Sequence, residues 1–273
     1  MTTRQVGEFI VTAVSDGVLY TTHDVVLGVD KDDSARLTGV PYGQQLALDV
    51  NSFLIRHSGK LIVSDAGSGH TMQPTLGKLP ENLRAIGIDP AEIDIIMLTH
   101  LHGDHSLGLV DPEGRAVFPN AELFIHEVEA SFWLDRTLQP TDPERITKNS
   151  NNQRAVTAPY RGRIRRIKDG EVWPGITATM RPGHTPGHTN WLIQSGGDRL
   201  LIWGDIVHLA AVQLARPEAR LIYDVDTDLA AATRQKVLEW AASEQLCVAG
   251  AHLGFPGYGY VKRSGDRFTV EPA

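Results

Sequence analysis

The sequence predicts an α/β (α+β) protein in which residues 1–273 form a single domain, a four-layer αββα sandwich. Three observations lead to this prediction. The hydrophobic content of 41% is enough for a complete core. Each half of the chain combines apolar strand patterns with an amphipathic helix, and each half ends in loops that contain histidine or aspartate. Because a sheet must bury an apolar face, the two halves are expected to pack sheet against sheet, with helices outside.

The first half contains four strand patterns and one helix pattern. The strands are expected at residues 5–14, 47–57, 60–65 and 93–99. The helix is expected at residues 76–86, because a Pro-Thr pair precedes it and Gly87 follows it. The pattern at 93–99 is almost continuously apolar, so this strand is expected to be buried and to place the next loop at a sheet edge.

The second half repeats this order. Its strands are expected at residues 176–180, 189–194, 199–203 and 246–251, with an amphipathic helix at 228–243. Ahead of them, residues 161–168 contain a regular alternation of basic side chains, which indicates a strand with one solvated face. An anion-binding patch is the alternative interpretation of this basic run.

A polar segment, residues 128–158, separates the two halves. It is expected to begin as a helix and to continue as a long, lid-like insertion. Its main apolar cluster is Phe132, Trp133 and Leu134. Two interpretations are open: the segment covers a binding site, or it is a surface helix whose Trp133 packs down onto the domain.

Charge and cysteine content narrow the class of protein. The net charge of −7 argues against a nucleic-acid-binding surface. The first residues lack the apolar core of a signal peptide, and no later window reaches membrane-spanning length, so a cytoplasmic protein without a membrane partner is expected. The single cysteine, Cys247, lies in an apolar strand pattern and is expected to be buried as a small hydrophobic residue.

Histidine and aspartate concentrate in four places along the chain. Residues 99–105 read Thr-His-Leu-His-Gly-Asp-His and directly follow the buried strand pattern. The candidate metal ligands are His100, His102, Asp104, His105, His184, Asp205 and His252. Imidazole and carboxylate ligands without a nearby thiolate suit zinc, or manganese, iron or cobalt, and leave coordination positions for water. This ligand chemistry is typical of a metal-dependent hydrolase.

The four ligand blocks resemble those of the metallo-β-lactamase superfamily in order and spacing. They are His-x-His-x-Asp-His at 100–105, Pro-Gly-His-Thr-Pro-Gly-His at 182–188, Gly-Asp at 204–205 and Gly-Ala-His at 250–252. Further segments are similar to the methyl parathion hydrolase branch, which includes lactone and aryl-ester hydrolases: Phe-Pro-Asn-Ala at 118–121, Trp-Gly-Asp-Ile-Val-His at 203–208 and Phe-Pro-Gly-Tyr-Gly at 255–259. The similarity runs from roughly residue 50 to residue 270.

The resemblance implies two divalent metal ions per chain, most simply zinc. One ion would be held by His100, His102, His184 and Asp205, and the other by Asp104, His105, His252 and the shared Asp205. Two ions held ~3.5–4 Å apart clamp one hydroxide and lower its pKa towards neutrality. The expected nucleophile is therefore a metal-bridging hydroxide, without a covalent enzyme intermediate.

Several nearby residues are candidates for supporting roles. The expected catalytic groups are Asp104, as a ligand, Asp65, which in the family hydrogen-bonds the ligand framework, and His208. His208 either donates to the oxyanion of a carbonyl substrate or is only a wall of the pocket. His188 is expected to pack or hydrogen-bond behind the ligands, and His126 either orients a ligand or caps its own loop. The remaining histidines, expected to be structural or exposed, are His23, His57 and His70.

The substrate does not follow from the ligands alone. The resemblance favours lactones or aryl esters, with promiscuous phosphotriesterase activity. The candidate pocket walls, in register with that family, are Met72, Phe132, Trp133 and Leu209. Met72 and the polar residues 148–153 stand where aromatic residues are usual, and this loss of stacking surface argues against efficient aryl phosphotriester hydrolysis.

Other functions are open. The main alternative is an organophosphate phosphotriesterase of the methyl parathion hydrolase type, and a non-catalytic metal-binding protein is a further one. β-Lactamase, thioesterase and nuclease activities rank lower. The expected partner is a small-molecule ester, lactone or phosphotriester, and the resemblance also implies a homodimer.

Overall fold

Sixteen strands build the sheets of the computed structural model, which describes residues 2–273. In chain order they are β1 (Thr3–Val6), β2 (Phe9–Thr21), β3 (Val26–Leu27), β4 (Leu46–His57), β5 (Lys60–Ser64), β6 (Ile95–Met97), β7 (Glu122–His126), β8 (Ile164–Ile167), β9 (Gly170–Trp173), β10 (Ile176–Met180), β11 (Thr189–Ser195), β12 (Asp198–Ile202), β13 (Arg220–Leu221), β14 (Cys247–Ala249), β15 (Tyr258–Ser264) and β16 (Arg267–Pro272). The helices are α1 (Lys31–Thr38), α2 (Leu79–Ala85), α3 (Gly103–Ser106), α4 (Glu127–Ala130), α5 (Glu144–Thr157), α6 (Ala210–Gln213) and α7 (Thr227–Ser243).

The strands form two seven-stranded sheets and one separate pair, β3 with β13. The first sheet has the order β1-β2-β4-β5-β6-β7-β8, and β5 to β8 run parallel. The second has the order β16-β15-β14-β12-β11-β10-β9, in which β12 and β14 are parallel neighbours. Parallel strands place their carboxyl ends at the same edge, where α/β proteins usually build their sites.

Apolar side chains of both sheets form the central core. Val11 and Phe53 of the first sheet share one buried cluster with Trp191 and Ile193 of the second. A second cluster joins the first sheet to α2 and α5, and a third joins the second sheet to α7. Helices therefore cover the outer face of each sheet, and the predicted four-layer αββα sandwich is confirmed.

Most predicted strands are present within a few residues of their expected bounds, but the first one is wrong. The expected strand at 5–14 is a hairpin of β1 and β2, because Gly7 turns the chain with a φ of +54°. A Cβ at this position would also lie 2.4 Å from Ser195 Oγ, so the turn needs glycine. The expected strand at 93–99 is confirmed but shortened to three residues, Ile95–Met97.

The first predicted helix begins later than expected, at Leu79 rather than at residue 76. The buried carboxylate of Asp16 accepts hydrogen bonds from the backbone N–H groups of Ser68, Gly77 and Leu79. These bonds hold the chain before Leu79 in a loop that does not follow the helical path. The Asp16 carboxylate, which is distant in sequence, thus prevents the helix from starting at the Pro-Thr pair.

The polar segment at 128–158, expected to begin as a helix and to continue as a lid-like insertion, is helical over most of its length. α4 continues into a π-helical turn, Ser131–Asp135, and after residues 136–143 the chain forms α5. Ile146 and Val156 of α5 are buried in the cluster beneath the first sheet. The segment is therefore part of the outer helix layer. The basic run that follows it is a strand only at β8, since residues 158–163 form a 3-10 turn.

Two expectations from composition can be compared with the fold. Cys247 is buried in β14, as predicted. Among residues 2–273, no helix combines the length and the apolar character needed to cross a bilayer.

Candidate metal centre

Loops that leave the carboxyl ends of three strands meet a fourth loop at one edge of the sandwich. β6 leads to His100 and His102, β12 leads to Asp205, and β14 leads to His252. The loop between β10 and β11 carries His184. The seven predicted ligands form two groups there, each with its ligand atoms within 4.8 Å of one another.

The first group is a cluster of three imidazoles, His100, His102 and His184. His184 Nε2 lies 2.8 Å from His102 Nδ1 and 3.1 Å from His100 Nε2. Asp205 adjoins the cluster, with its Oδ2 atom 3.3 Å from His184 Nε2 and 3.6 Å from His100 Nε2. Three ring nitrogens and one carboxylate oxygen thus converge on one small volume.

The second group contains Asp104, His105, Asp205 and His252. Asp205 Oδ1 lies 3.1 Å from His105 Nε2 and 3.4 Å from His252 Nε2. Asp104 Oδ2 lies 3.3 Å from His252 Nε2. Asp205 therefore lies between the two groups, with one oxygen directed towards each.

The hydrogen bonds on the far side of the rings show which nitrogens can bind a cation. His252 Nδ1 donates to the backbone carbonyl of Asp49 at 2.9 Å, so Nδ1 carries a proton. His105 Nδ1 faces Asp65 at 3.0 Å, and His184 Nδ1 faces Asp224 at 2.8 Å, both carboxylate acceptors. In each ring the Nε2 atom is then the one available to a metal ion.

Buried polar atoms without partners support the fit to metal ions. His105 Nε2, His252 Nε2 and Asp205 Oδ1 are buried and make no hydrogen bond within residues 2–273. Leaving such atoms unpaired is costly, and a cation between them removes that cost. Imidazole nitrogens with carboxylate oxygens suit zinc and similar divalent ions, so these residues fit the predicted centre.

The carboxylates favour positive charge at the centre. Burial opposes protonation of His184, yet the Asp205 and Asp224 carboxylates raise its pKa to about 9. Burial likewise opposes protonation of His252, whose pKa is raised to about 10 by Asp205 and Asp104. A divalent ion would supply the positive charge that these buried carboxylates stabilise.

Asp65 and His188 both contact the loops that carry the candidate ligands. The Asp65 carboxylate accepts hydrogen bonds from the backbone N–H and hydroxyl of Thr99 and faces His105 Nδ1. His188 Nε2 accepts the backbone N–H of Asp205 at 3.0 Å. Both residues therefore hold the loops that carry the ligands.

Asp224 is a functional candidate that the sequence reasoning missed. Its carboxylate is buried, lies 2.8 Å from His184 Nδ1 and accepts the backbone N–H of Leu221. It stands in the loop before α7, far from every ligand motif in the chain. No local sequence signal distinguishes it from the neighbouring Asp226, which caps α7.

The other histidines have structural roles or lie at the surface. His126 Nδ1 accepts the N–H of Val128, so of its two interpretations the structure has it capping its own loop. His23 is buried and hydrogen-bonds Ser34. His57 stacks on Phe9 in the core, and His70 is exposed.

A cavity of 460 Å³ opens above the metal centre. Its floor contains His102, Asp104, His184, Asp205 and His208. Its walls are Leu19, Tyr20, Leu48, Met72, Gln73, Gly103, Arg145, Asn149, Ile222 and Tyr223. Of the predicted substrate contacts, Met72 therefore lines the cavity.

The other three predicted wall residues do not line this cavity. Trp133 is buried, donates from Nε1 to Glu129 and packs edge-on against His102, which matches the alternative in which it packs onto the domain. Phe132 packs against the Trp133 ring. Leu209 is buried in a separate cluster with Val212. The ring of Trp133 thus supports a candidate ligand from behind.

The polar residues 148–153, which stand where relatives have aromatic residues, lie in α5 and contact the ligand loop after β6. Asn149 Nδ2 donates to the carbonyl of Leu101, which lies between His100 and His102. The Ser106 hydroxyl oxygen lies 2.6 Å from the His102 carbonyl oxygen and 2.7 Å from Gln153 Oε1, and its single proton can be donated to either acceptor. The amides of this run therefore stabilise the ligand loop, and Asn149 also reaches the cavity.

The comparisons with known proteins agree with this geometry. The sequence profile of the metallo-beta-lactamase superfamily matches residues 46–252. The solved structure of hydrolase AbOPH, described as a member of the beta lactamase superfamily, has a TM-score of 0.93 and 30% identity, over 99% of this chain and 96% of that one. AidC, a dizinc quorum-quenching lactonase solved with the product N-hexanoyl-L-homoserine, shares the fold with a TM-score of 0.91 and 24% identity, over 99% and 96%.

Two curated relatives match over parts of their length. YobT, an uncharacterized protein of Bacillus subtilis, is 29% identical over 162 residues, 59% of this chain and 63% of YobT. An N-acyl homoserine lactonase of Bacillus cereus is 29% identical over 122 residues, 44% of this chain and 40% of the lactonase. These alignments span less than two thirds of either relative.

We expect two divalent ions per chain, because two ligand groups lie side by side and the two oxygens of Asp205 face one group each. Asp205→Asn removes a charge that faces both groups, so binding of both ions and hydrolytic activity should fall together. Elemental analysis after dialysis against zinc measures the number of zinc ions per chain. Asp198→Asn, an exposed change at the start of the same strand, should keep the wild-type ratio. A wild-type protein that is fully active with a single ion would contradict this prediction.

We expect Asp224→Asn to weaken zinc binding by roughly 10–100-fold, the usual effect of removing a carboxylate behind a ligand histidine. The reason is that His184 Nδ1 loses its anionic acceptor. Competition with a chromophoric chelator measures the affinity. Asp226→Asn is the matched control, since asparagine also caps helices and Asp226 does not contact His184. Equal affinities in the two variants would show that Asp224 does not orient His184.

Proposed function

The chain belongs to the metallo-β-lactamase superfamily and is a metal-dependent hydrolase, and we propose that it hydrolyses lactones or aryl esters, with phosphotriesters as secondary substrates. The proposal includes a centre of two divalent ions per chain, with zinc first and manganese, iron or cobalt as alternatives. The homodimer and the cytoplasmic location expected from the sequence belong to the same proposal.

The observation that carries the substrate class is the composition of the cavity. Its walls include four aliphatic or thioether side chains and two tyrosines, Leu19, Leu48, Met72, Ile222, Tyr20 and Tyr223, whereas its floor consists of the candidate ligands and His208. A neutral ester can place an apolar arm against such walls and turn its carbonyl towards the floor. Small-molecule sites commonly have this arrangement of apolar walls and few polar groups.

The metal ions would polarise the substrate carbonyl and activate a water molecule. The chain itself holds the ligands in place from behind. Asp65, Asp224 and the Asp49 carbonyl keep His105, His184 and His252 in one orientation. Preorganised ligands of this kind need little rearrangement during the reaction.

Asp104 and His208 are the floor residues assigned to catalysis. Burial would raise the pKa of Asp104, but the adjacent His105 and His252 lower it strongly, so the carboxylate stays ionised. It can therefore bind a cation and accept a hydrogen bond from the attacking water. Burial lowers the pKa of His208 and keeps its ring neutral.

We propose that His208 interacts with a substrate carbonyl, because its ring lines the cavity next to Asp205. Its Nε2 atom lies 2.8 Å from Asp205 Oδ2, and Gln213 accepts its backbone N–H at 2.7 Å. A neutral imidazole has one N–H, and His208 directs it from Nε2 at Asp205 in this structure. With the Asp205 carboxylate bound to cations, the same N–H would be free to be donated to a substrate oxyanion in the cavity. We assign His208 this role for carbonyl substrates; a wall role is the alternative.

Two comparisons support the proposal. The Bacillus cereus relative is an N-acyl homoserine lactonase, and AbOPH is a hydrolase. A true phosphotriesterase is the second candidate, favoured by the segments that are similar to methyl parathion hydrolase. Because α5 presents Asn149 rather than an aromatic ring to the cavity, phosphotriesters with aryl groups rank below lactones.

We expect the zinc- or manganese-loaded protein to hydrolyse lactones or aryl acetates with a kcat/KM at least ~10-fold above that for dialkyl aryl phosphates, a difference of about 1.4 kcal/mol in transition-state stabilisation. Steady-state kinetics on the three substrate classes measures this order. His105→Ala, which lacks a candidate ligand, shows the background rate. The reverse order would establish the phosphotriesterase alternative, and no turnover of any class would favour a non-catalytic protein.

We expect His208→Leu to lower kcat for lactones by about 10²-fold, the usual loss when one oxyanion donor is removed. Phosphotriester turnover should fall less, because a phosphoryl oxygen can interact with a metal ion instead. Tyr223→Phe, which alters the same cavity wall, is the matched control and should leave the ratio of the two activities unchanged. An unchanged lactone kcat in folded, metal-loaded His208→Leu would leave His208 as a wall residue only.

A further inference from the structure

Glu129 is a buried carboxylate that none of the roles above requires. It lies in α4, is 1% exposed, and forms no ion pair with Lys or Arg in the part of the chain that the structure describes. Burial raises the pKa of this carboxyl group, while its hydrogen bonds lower it. A carboxylate in such a place needs a full set of donors.

Four donors converge on the Glu129 carboxylate, two at each oxygen. Oε1 accepts the backbone N–H of Leu101 at 2.7 Å and Trp133 Nε1–H at 2.8 Å. Oε2 accepts the Thr185 hydroxyl at 2.7 Å and the backbone N–H of Gly187 at 2.9 Å. All four groups donate, so both side-chain oxygens of residue 129 must be hydrogen-bond acceptors.

The two oxygens contact different loops of the metal centre. Leu101 stands between His100 and His102, and Thr185 directly follows His184. Oε1 therefore holds the loop after β6, and Oε2 holds the loop after β10. One rigid carboxylate thus spans the two segments that supply the three-histidine group.

The backbone around Glu129 is closely packed, so the two ligand loops have little room to move relative to α4. A Cβ on Gly187 would lie 2.2 Å from the backbone nitrogen of Glu129, so the loop that carries His184 packs directly on α4. On the other side of Leu101, its carbonyl accepts the Asn149 amide. Both polar groups of the residue between two ligands are therefore held by the helical segment at 127–157.

We propose that Glu129 is a positioning residue, which sets the spacing of His100, His102 and His184 and thereby the metal affinity of the three-histidine group. The inference rests on the metal centre of the proposed function and is independent of its substrate. Residues 128–158, expected to form a lid, then serve mainly as the scaffold of the centre.

The test compares Glu129→Gln with Asp16→Asn. Glutamine has the same shape, but its NH₂ group would face donors, so one loop loses its acceptor. Asp16 is the matched control, a buried carboxylate with three backbone donors and no bond to a ligand-bearing loop. Circular dichroism and thermal unfolding test whether each variant is folded.

Zinc affinity by chelator competition and the visible spectrum of the cobalt-substituted protein are the readouts. Glu129→Gln should bind one of two ions roughly 10–100-fold more weakly, as for other groups that orient ligands, and should alter the cobalt spectrum. Asp16→Asn should lower the unfolding temperature and leave affinity and spectrum unchanged. Wild-type affinity and spectrum in folded Glu129→Gln, or equal metal losses in both variants, would overturn the proposal.

A second variant covers the case in which Glu129→Gln does not fold. Thr185→Val removes one of the four donors and should weaken the same ion by a smaller factor, whereas unchanged affinity overturns the proposal. Because no substrate is used, the outcome is separate from that of the proposed function. A wild-type protein that binds two ions and hydrolyses no lactone would contradict only the substrate assignment.

Discussion

The ligand atoms of five imidazoles and two carboxylates converge on one buried volume, and this convergence is the constraint that the rest of the structure serves. Polar atoms such as His105 Nε2 and Asp205 Oδ1 have no hydrogen-bond partner there. Such an arrangement is costly in a protein without a cation and favourable with one. Both sheets contribute a ligand loop, so the sandwich and the centre depend on each other.

The second constraint is orientation. Three rings that offer Nε2 to the centre are held at Nδ1 by an acceptor from another part of the chain: His105 by Asp65, His184 by Asp224 and His252 by the Asp49 carbonyl. These acceptors come from loops and strands far apart in the sequence. Their removal should act on metal affinity before it acts on the fold, because the layers are held together by apolar clusters.

Strands and helices with a clear period of buried apolar residues were predicted well. Helix starts and loop contacts that depend on distant polar groups were not. The period of apolar residues places β10 and α7 within one residue of their observed bounds. The start of α2 was wrong because Asp16 holds the preceding loop, and no local pattern shows that bond. The contacts of the segment at 128–158 with the ligand loop were not predicted, since no local pattern shows that Asn149 and Gln153 of α5 point inward to that loop.

By itself the sequence determined the αββα layers, the superfamily and the candidate ligands, because the spacing of ligands within one loop and the alternation of apolar residues are local properties. Only the tertiary structure decided which groups support those ligands and which residues line the cavity. Trp133 packs behind His102, and Tyr223 lines the cavity instead. Glu129 joins the loop that carries His102 to the loop that carries His184, and these two histidines are more than 80 residues apart in the chain. Such contacts arise when sheets pack, and a linear pattern does not encode them.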